Sequence, residues 1–194
     1  EKPSEWNARM GRNTTRLSPS DYLLLAMLWS GPAHGYELYK RLEEPAGVGM
    51  IWQVGQANLY AQLEKLARAG LIHGVTLPSN SSPARVAYAL TTAGEALIRA
   101  WLVEPVHRPK DFRPSFLLTH HFSRALLGEA NAAGLRHDQR RECQLWLAEL
   151  DPHPASPLGA ELAAFRRAMI TAELAWLDGL EPNLSQEEKT DEAL

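Results

Sequence analysis

QANLYAQLEKLARAGLIHGVTL, residues 56–77, is the stretch of sequence that decides the fold. It predicts a helix over about 55–69, because one helical face carries three leucines, Leu59, Leu63 and Leu66. Gly70 then stands where a left-handed C-terminal cap is expected, and β-capable residues follow at 71–77. The stretch therefore predicts a helix that leads directly into a strand.

A β-hairpin is predicted next. The second β-capable run, 84–90, alternates larger apolar side chains with small ones, as a half-exposed strand does. The turn-rich segment 78–83 separates it from the first run. Thr91 or Thr92 then predicts the start of a helix that continues to about 103, with Thr92 and Glu95 as a capping box.

Two further helices are predicted before this stretch. Ser18 is a good N-cap for a helix that begins with Pro19 and is almost wholly apolar. A second helix covers about 34–44, and Pro45 stops it. The order helix, helix, helix, β-hairpin, helix is that of a winged helix-turn-helix domain. We therefore predict a mainly α fold with a small β-hairpin.

The rest of the chain is predicted to be helical, at about 115–131, 135–150 and 158–180. The predicted organisation has five parts: a flexible basic arm at 1–17, a winged helix-turn-helix DNA-binding domain at 18–104, a Pro-rich linker at 105–114, an α-helical dimerisation domain at 115–180 and a disordered acidic tail at 181–194.

The last predicted helix carries apolar residues at the 4-3-4-3-4 spacing of a coiled-coil seam. Such a seam predicts burial against a second helix, and we expect it to form the interface of a homodimer. The residues of this seam are Leu158, Leu162, Phe165, Met169, Ala172 and Trp176.

Composition excludes some classes of protein and leaves nucleic-acid binding open. The chain has 194 residues and a formal net charge of −3. The tail holds four net negative charges, so the chain without it carries +1. Cys143 is the single cysteine, which excludes a disulfide-stapled fold. The longest apolar run, 22–29, is far shorter than the roughly 20 residues that cross a bilayer, so we expect a cytoplasmic protein.

The outward face of the helix over 55–69 predicts a DNA-binding surface. Small side chains there let the helix approach a groove, Asn and Gln pair with adenine, and Lys and Arg bind guanine or phosphate. An arginine just after the hairpin turn is placed to contact the DNA backbone or the minor groove. The predicted DNA-binding residues are Gln56, Ala57, Asn58, Tyr60, Gln62, Lys65 and Arg85.

The sequence resembles a known family in several short segments. These are HGYEL (34–38), NLYAQL (58–63), LARAGLI (66–72) and YALTTAG (88–94), with a looser similarity at ELAWL (173–177). They are similar to the PadR family of bacterial transcriptional regulators. The resemblance implies a homodimeric winged-helix repressor that a small molecule releases from DNA.

The resemblance also implies roles for two tyrosines. Tyr36 and Tyr60 match tyrosines that lie near the DNA backbone in the family. Three residues differ from the family pattern: Asn58 stands where Thr is usual, Gln56 replaces Pro and Ala57 replaces Gly. These differences do not affect the expected fold or dimer, but they mean that an operator sequence cannot be transferred from relatives.

Other functions are less well supported by the sequence. The GVG at 47–49 begins a dinucleotide-like pattern, but Trp52 occupies the place of the third glycine. His120 and His121 are adjacent and point about 100° apart on a helix, which argues against a metal site with Cys143. We therefore expect no enzyme activity, no cofactor and no metal.

Two hypotheses stay open beside DNA binding. Aromatic residues of the C-terminal half could line an effector pocket, for which Trp101 and Trp146 are the candidates. The alternative function is a winged-helix module for protein–protein contact, since fold does not dictate function. The expected partners are a palindromic double-stranded DNA operator, a second copy of the chain and a small-molecule effector, with no membrane.

Overall fold

The first helix, α1 (Pro19–Met27), supplies much of the core of the N-terminal half. The computed structural model describes residues 17–76, 86–150 and 154–180. The predicted start of α1 is confirmed: the Ser18 Oγ accepts from the backbone N–H of Asp21 (3.4 Å), and the Asp21 carboxylate accepts from that of Ser18 (2.7 Å). Three consecutive leucines of α1 are fully buried, Leu23, Leu24 and Leu25. The predicted arm and tail lie outside the described residues, except for Leu17.

Two helices and a short turn follow. They are α2 (Gly35–Glu43), a 3-10 turn at Val48–Met50 and α3 (Gln56–Arg68). Gly49 in this turn is buried, and a Cβ there would lie 1.9 Å from the carbonyl oxygen of Leu42. The turn can therefore pack on the end of α2 only because residue 49 is glycine. Gly70 has φ +70°, the left-handed conformation predicted for a helix cap.

A three-stranded antiparallel sheet completes this half of the chain. β2 (Ile72–Thr76) pairs with β3 (Val86–Leu90), and β3 pairs on its other edge with β1 (Ala33–His34), giving the order β1-β3-β2. The structure thus confirms the mainly α fold with a small hairpin. The sequence did not predict β1, because two residues are too few to show an alternating pattern.

The fourth helix, α4 (Thr92–Trp101), follows β3. The Thr91 Oγ1 accepts from the backbone N–H of Gly94 at 3.1 Å and donates to the Gly70 carbonyl at 2.7 Å. The predicted capping box of Thr92 with Glu95 is therefore wrong. The helix begins at residue 92, one residue earlier than that box requires, so Thr91 is the N-cap.

The chain separates into two compact units, with the boundary between Trp101 and Leu102. In the C-terminal unit a 3-10 turn (Pro109–Asp111) and a π-turn (Phe112–Phe116) lead into α5 (Leu117–Leu127). They are followed by α6 (Glu129–Ala148) and α7 (Pro157–Gly179). Gly128 between α5 and α6 has φ +89°, and this turn divides the helix predicted to extend to 131.

The core of the C-terminal unit is largely aromatic and aliphatic. The Gln139 side chain binds the backbone of Val106 on both sides, accepting from its N–H at 2.8 Å and donating to its carbonyl at 3.2 Å. The buried cluster comprises Phe112, Phe116, Leu135, Cys143, Trp146, Ile170 and Leu177.

Among the described residues, no helix is long and apolar enough to cross a membrane.

A glutamate of α7 is partly enclosed in this unit. Burial raises the pKa of Glu173 to about 7, from an ordinary value of 4.5. Within the described part of the chain, its Oε2 is buried and makes no hydrogen bond. The folded state therefore holds a proton on Glu173 at pH values where the unfolded chain has lost it.

This shift predicts how the stability of the protein varies with pH. Because the folded state binds the additional proton, the contribution of Glu173 to stability falls as pH rises from about 4.5 to about 7. Glu173→Gln should therefore raise the melting temperature at pH 8 by roughly 2–4 °C and leave it nearly unchanged at pH 4.5. Scanning calorimetry at both pH values measures the difference. Glu161→Gln, an exposed position of the same helix, is the control and should show no such pH dependence.

Candidate nucleic-acid interface

The leucines of α3 decide which of its sides faces the core. Leu59, Leu63 and Leu66 have no exposed surface, and they hold one side of the helix against the core. The opposite side is open to solvent, and this exposed face carries Ala57, Tyr60, Ala61, Glu64 and Arg68. Two of these five residues are alanines, so the backbone of α3 can come close to another molecule along most of its length.

The first turn of α3 is exposed. Gln56, Ala57 and Asn58 all lie at the surface, and Gly55 precedes them as the N-cap. The backbone N–H groups of a helix N-terminus are free of intrahelical partners and carry a partial positive charge. The side chains of Gln56 and Asn58 therefore stand beside a terminus that attracts anionic groups. This turn is where the sequence predicts contact with base edges.

Two tyrosines flank the first turn. Tyr36 on α2 is 51% exposed and Tyr60 on α3 is 39% exposed. The Tyr60 ring packs on Gly35, where a Cβ would lie 2.6 Å from a ring carbon. Gly35 thus lets the start of α2 and the middle of α3 approach each other, which places both tyrosines at one edge of the exposed face.

Sequence reasoning missed a cation at this edge. Lys40 lies one turn after Tyr36 on α2, and its Nζ is 5.7 Å from the centroid of the Tyr36 ring. Lys40 is exposed. The i, i+4 spacing of Tyr36 and Lys40 shows in the sequence that the two side chains are neighbours on α2. It does not show that this side of α2 lies beside α3.

Lys65, predicted to contact DNA, is half-exposed and turns toward the core rather than fully outward. Its Nζ lies 2.6 Å from the Asp21 Oδ2, and the Asp21 side chain is fully buried. Gln62, on the same flank of α3, is half-buried. A buried carboxylate attracts the nearest cation, and the lysine stem is long enough to turn toward it.

The charge of the exposed face is weaker than the sequence suggests. Residues 55–90 hold three basic side chains and one acidic one, a net +2, but the buried carboxylate neutralises Lys65. Arg68 and Glu64 approach each other at 3.7 Å on the exposed face. Arg85 lies outside the described residues, so its predicted contact stays a prediction.

The predicted dimer seam lies on the surface of α7. Ile170 and Leu177 of the same helix are buried in the C-terminal unit, so they mark the side of α7 that faces its own core. The seam residues are all exposed, and the large ones range from 38% for Trp176 to 74% for Leu158. The Trp176 ring also packs edge-on against Phe112 and Phe116 of its own unit, with centroid distances of 6.0 and 6.2 Å. They are Leu158, Leu162, Phe165, Met169, Ala172 and Trp176.

The two candidate effector residues lie in different units. Trp101 is half-buried and stacks on Tyr22, with ring centroids 5.1 Å apart. Trp146 is 6% exposed and belongs to the buried cluster of the C-terminal unit. A cavity of about 340 Å³ between Glu149, Leu162 and Arg166 does not include either tryptophan.

The residues considered for a metal site, His120, His121 and Cys143, lie in ordinary structural surroundings. The His120 Nε2 is hydrogen-bonded to Arg136 at 3.1 Å, and burial and the Arg136 charge lower the pKa of His120. Burial raises the pKa of the Cys143 thiol to about 12. Within the described residues, no three His, Cys, Asp or Glu side chains come together as a group that could hold a metal ion.

Comparison with known proteins agrees with the arrangement of α1 to α4. Residues 24–100 match the model of the Transcriptional regulator PadR-like family. We refer to these residues as the PadR-like domain. The PadR-like domain thus contains the exposed face of α3, the two tyrosines and Lys40, and the resemblance drawn from its sequence motifs is confirmed.

Individual relatives are distant. A probable transcriptional regulator of Mycobacterium tuberculosis is 24% identical over 96 residues, which is 50% of this chain and 50% of that protein. The matched stretch thus spans half the length of this curated relative.

Solved structures also match this chain. Bacillus subtilis PadR in complex with operator DNA is 22% identical with a TM-score of 0.44, over 85% of this chain and 97% of that chain. The same protein with p-coumaric acid gives 21% and 0.41, over 88% and 96%. A Streptococcus transcriptional regulator gives 28% and 0.36, over 42% of this chain and 75% of its own.

Proposed function

We propose that this protein is a homodimeric repressor of transcription that binds a specific DNA sequence. The observation that carries the proposal is the exposed first turn of α3, with Gln56 and Asn58, inside a PadR-like domain. Buried leucines hold that turn at the surface. The turn combines side chains that pair with bases and a helix terminus that favours phosphate.

In this proposal α3 is the recognition helix and lies in the major groove. Gln56 and Asn58 contact base edges, and Ala57 and Ala61 allow the close approach. Tyr36, Tyr60 and Lys40 at the edge of the face bind the DNA backbone, which fixes the register of the helix without reading sequence. In the same proposal Arg85 contacts the DNA backbone or the minor groove, as the sequence predicts.

The modest positive charge of the exposed face limits the affinity expected for non-specific DNA. Glu64 lies on the exposed face beside Arg68, and Lys65 is neutralised by Asp21. Few cations are therefore available to displace counterions from DNA, and non-specific affinity should be weak. Specificity then depends on base contacts and on the spacing of two recognition helices, about 34 Å or a multiple of it.

DNA binding is tested by selecting duplexes from a random-sequence library and by gel shift with the DNA upstream of the protein's own gene. Asn58→Ala should cost about 1–3 kcal/mol on the selected duplex and relax the preference at one base pair. Lys40→Met and Arg85→Ala should weaken binding to all sequences and reduce the slope of log K against log salt by about 1 each.

Lys110→Met is the matched control for Lys40→Met, since it removes an exposed lysine outside the PadR-like domain and should leave the slope unchanged. A protein that selects no sequence, and whose DNA binding does not respond to salt, would contradict the proposed function. It would favour the alternative of a protein–protein module.

Dimer formation is proposed from the exposed seam on α7. Four large apolar side chains of one helix face, Leu158, Leu162, Phe165 and Met169, are 41–74% exposed in the single chain. Contiguous apolar surface of this kind is uncommon on monomers and is typical of an interface. The seam spacing favours a second α7 helix as the partner, packed side by side in a coiled-coil-like pair.

Replacing the centre of the seam tests the dimer. Phe165 is 61% exposed, so Phe165→Glu should leave the fold of one chain intact while placing a charge in the interface. Sedimentation equilibrium should show a dimer for the wild type and a monomer for the variant, which should also lose affinity for the selected duplex. Arg167→Glu, an exposed position on another side of α7, should remain dimeric. A monomeric wild type would refute this part of the proposal.

Release by a small aromatic effector is the last part of the proposal, and its support is the aromatic content around Trp101 and Trp146. Trp146 is buried, so a ligand that reaches it must displace core side chains, whereas Trp101 is partly accessible. Planar aromatic acids should quench tryptophan fluorescence, with less quenching in Trp101→Phe. Absence of quenching by every compound tried counts against an effector at these residues.

A further inference from the structure

A fully buried carboxylate lies between α1 and α3. Asp21 in the first turn of α1 has no exposed surface. Its Oδ2 accepts hydrogen bonds from the Ser18 backbone N–H (2.7 Å), the Ser18 Oγ (2.8 Å) and the Lys65 Nζ (2.6 Å). Its Oδ1 makes no hydrogen bond within the described residues. Lys65 is thus the one cation bound to this carboxylate among those residues.

The same turn of α1 also holds the chain just before the recognition helix. The Trp52 Nε1 donates to the Ser20 Oγ at 2.8 Å. Trp52 precedes the N-terminus of α3, and Lys65 lies near its C-terminus. Two neighbouring residues of α1 therefore bind the α3 region at both ends, through hydrogen bonds that have a defined length and direction.

Hydrogen bonds fix the rotation of α3 more tightly than the contacts of Leu59, Leu63 and Leu66, which we call the leucine ridge. Apolar contacts are non-directional, and a helix held by leucines alone can rotate or slide by a fraction of an ångström at small cost. Hydrogen bonds to base edges need donor–acceptor distances near 2.7–3.2 Å. Base contacts from the first turn therefore depend on a constraint that fixes the rotation of α3.

We infer that Asp21 and Lys65 are positioning residues for DNA recognition: their ion pair fixes the rotation of the recognition helix, and Lys65 does not bind phosphate. The inference rests on the proposed function. It reverses the role given to Lys65 from sequence, in which the lysine faced outward toward DNA.

Whether Asp21→Asn strengthens or weakens DNA binding distinguishes a positioning role from a purely electrostatic one. Asp21→Asn removes a negative charge from the DNA-binding domain, so electrostatics alone predicts tighter binding to every duplex. An asparagine oxygen still accepts from Ser18, so the cap of α1 is kept. If the pair positions α3, Asp21→Asn should instead weaken binding to the selected duplex by about tenfold, the loss of one base contact. Binding to random-sequence DNA should not weaken.

The experiment is a double-mutant cycle on the full-length protein. Asp21→Asn, Lys65→Met and the double variant are compared with the wild type on two probes, the selected duplex and a random-sequence duplex of the same length. Affinity is measured over a series of salt concentrations, at a temperature where circular dichroism shows each variant to be folded. Lys40→Met is the control for loss of a phosphate contact.

The positioning role predicts three results. Lys65→Met lowers the ratio of specific to non-specific affinity by about tenfold and leaves the salt slope unchanged. In the Asp21→Asn background the same substitution has little further effect. Lys40→Met behaves differently, since it weakens both probes equally and lowers the slope by about 1.

Other results overturn the inference. A Lys65→Met variant that behaves like Lys40→Met, with equal cost in both Asp21 backgrounds, shows a phosphate contact and leaves the proposed function standing. A wild type that selects no duplex refutes the proposed function and this inference together. If Lys65→Met does not fold because it leaves Asp21 unpaired, the Asp21→Asn variant decides by the sign of its effect on the selected duplex.

Discussion

Three leucines of α3, Leu59, Leu63 and Leu66, are closed to solvent, and this burial decides which side of the helix is left for another molecule. These leucines face a core that also contains the buried leucines of α1. With this side of α3 buried, Gln56, Ala57 and Asn58 lie at the surface. The packing of Tyr60 on Gly35 brings the start of α2, with Tyr36 and Lys40, next to α3. The candidate interface is therefore a consequence of core packing.

Much of this could be predicted from the sequence. The leucine spacing fixed the helix and its buried side, Gly70 marked its end, and the β-capable runs marked the hairpin. These features are local, since each depends on residues within a few positions of one another. The exposed first turn of α3 follows from the same periodicity and was predicted with it.

The features that escaped prediction depend on distant residues. Lys65 turns toward Asp21, which lies 44 positions earlier in the chain. Lys40 is part of the candidate interface because its Nζ lies 5.7 Å from the Tyr36 ring, and Tyr36 follows Gly35, on which Tyr60 packs. Phe112 was assigned to a linker because prolines surround it, yet it is 5% exposed in the core of the C-terminal unit. Helical periodicity cannot reveal such contacts, because it describes one element at a time.

The single cysteine has a consequence of another kind. Cys143 is buried, and burial raises the pKa of its thiol to about 12, so at neutral pH it is neither ionised nor accessible to a reagent. A chemical label can reach it only when the C-terminal unit opens. The rate at which Cys143 is labelled therefore measures how often the C-terminal unit opens. A change in that rate when DNA is added would show that opening is linked to DNA binding.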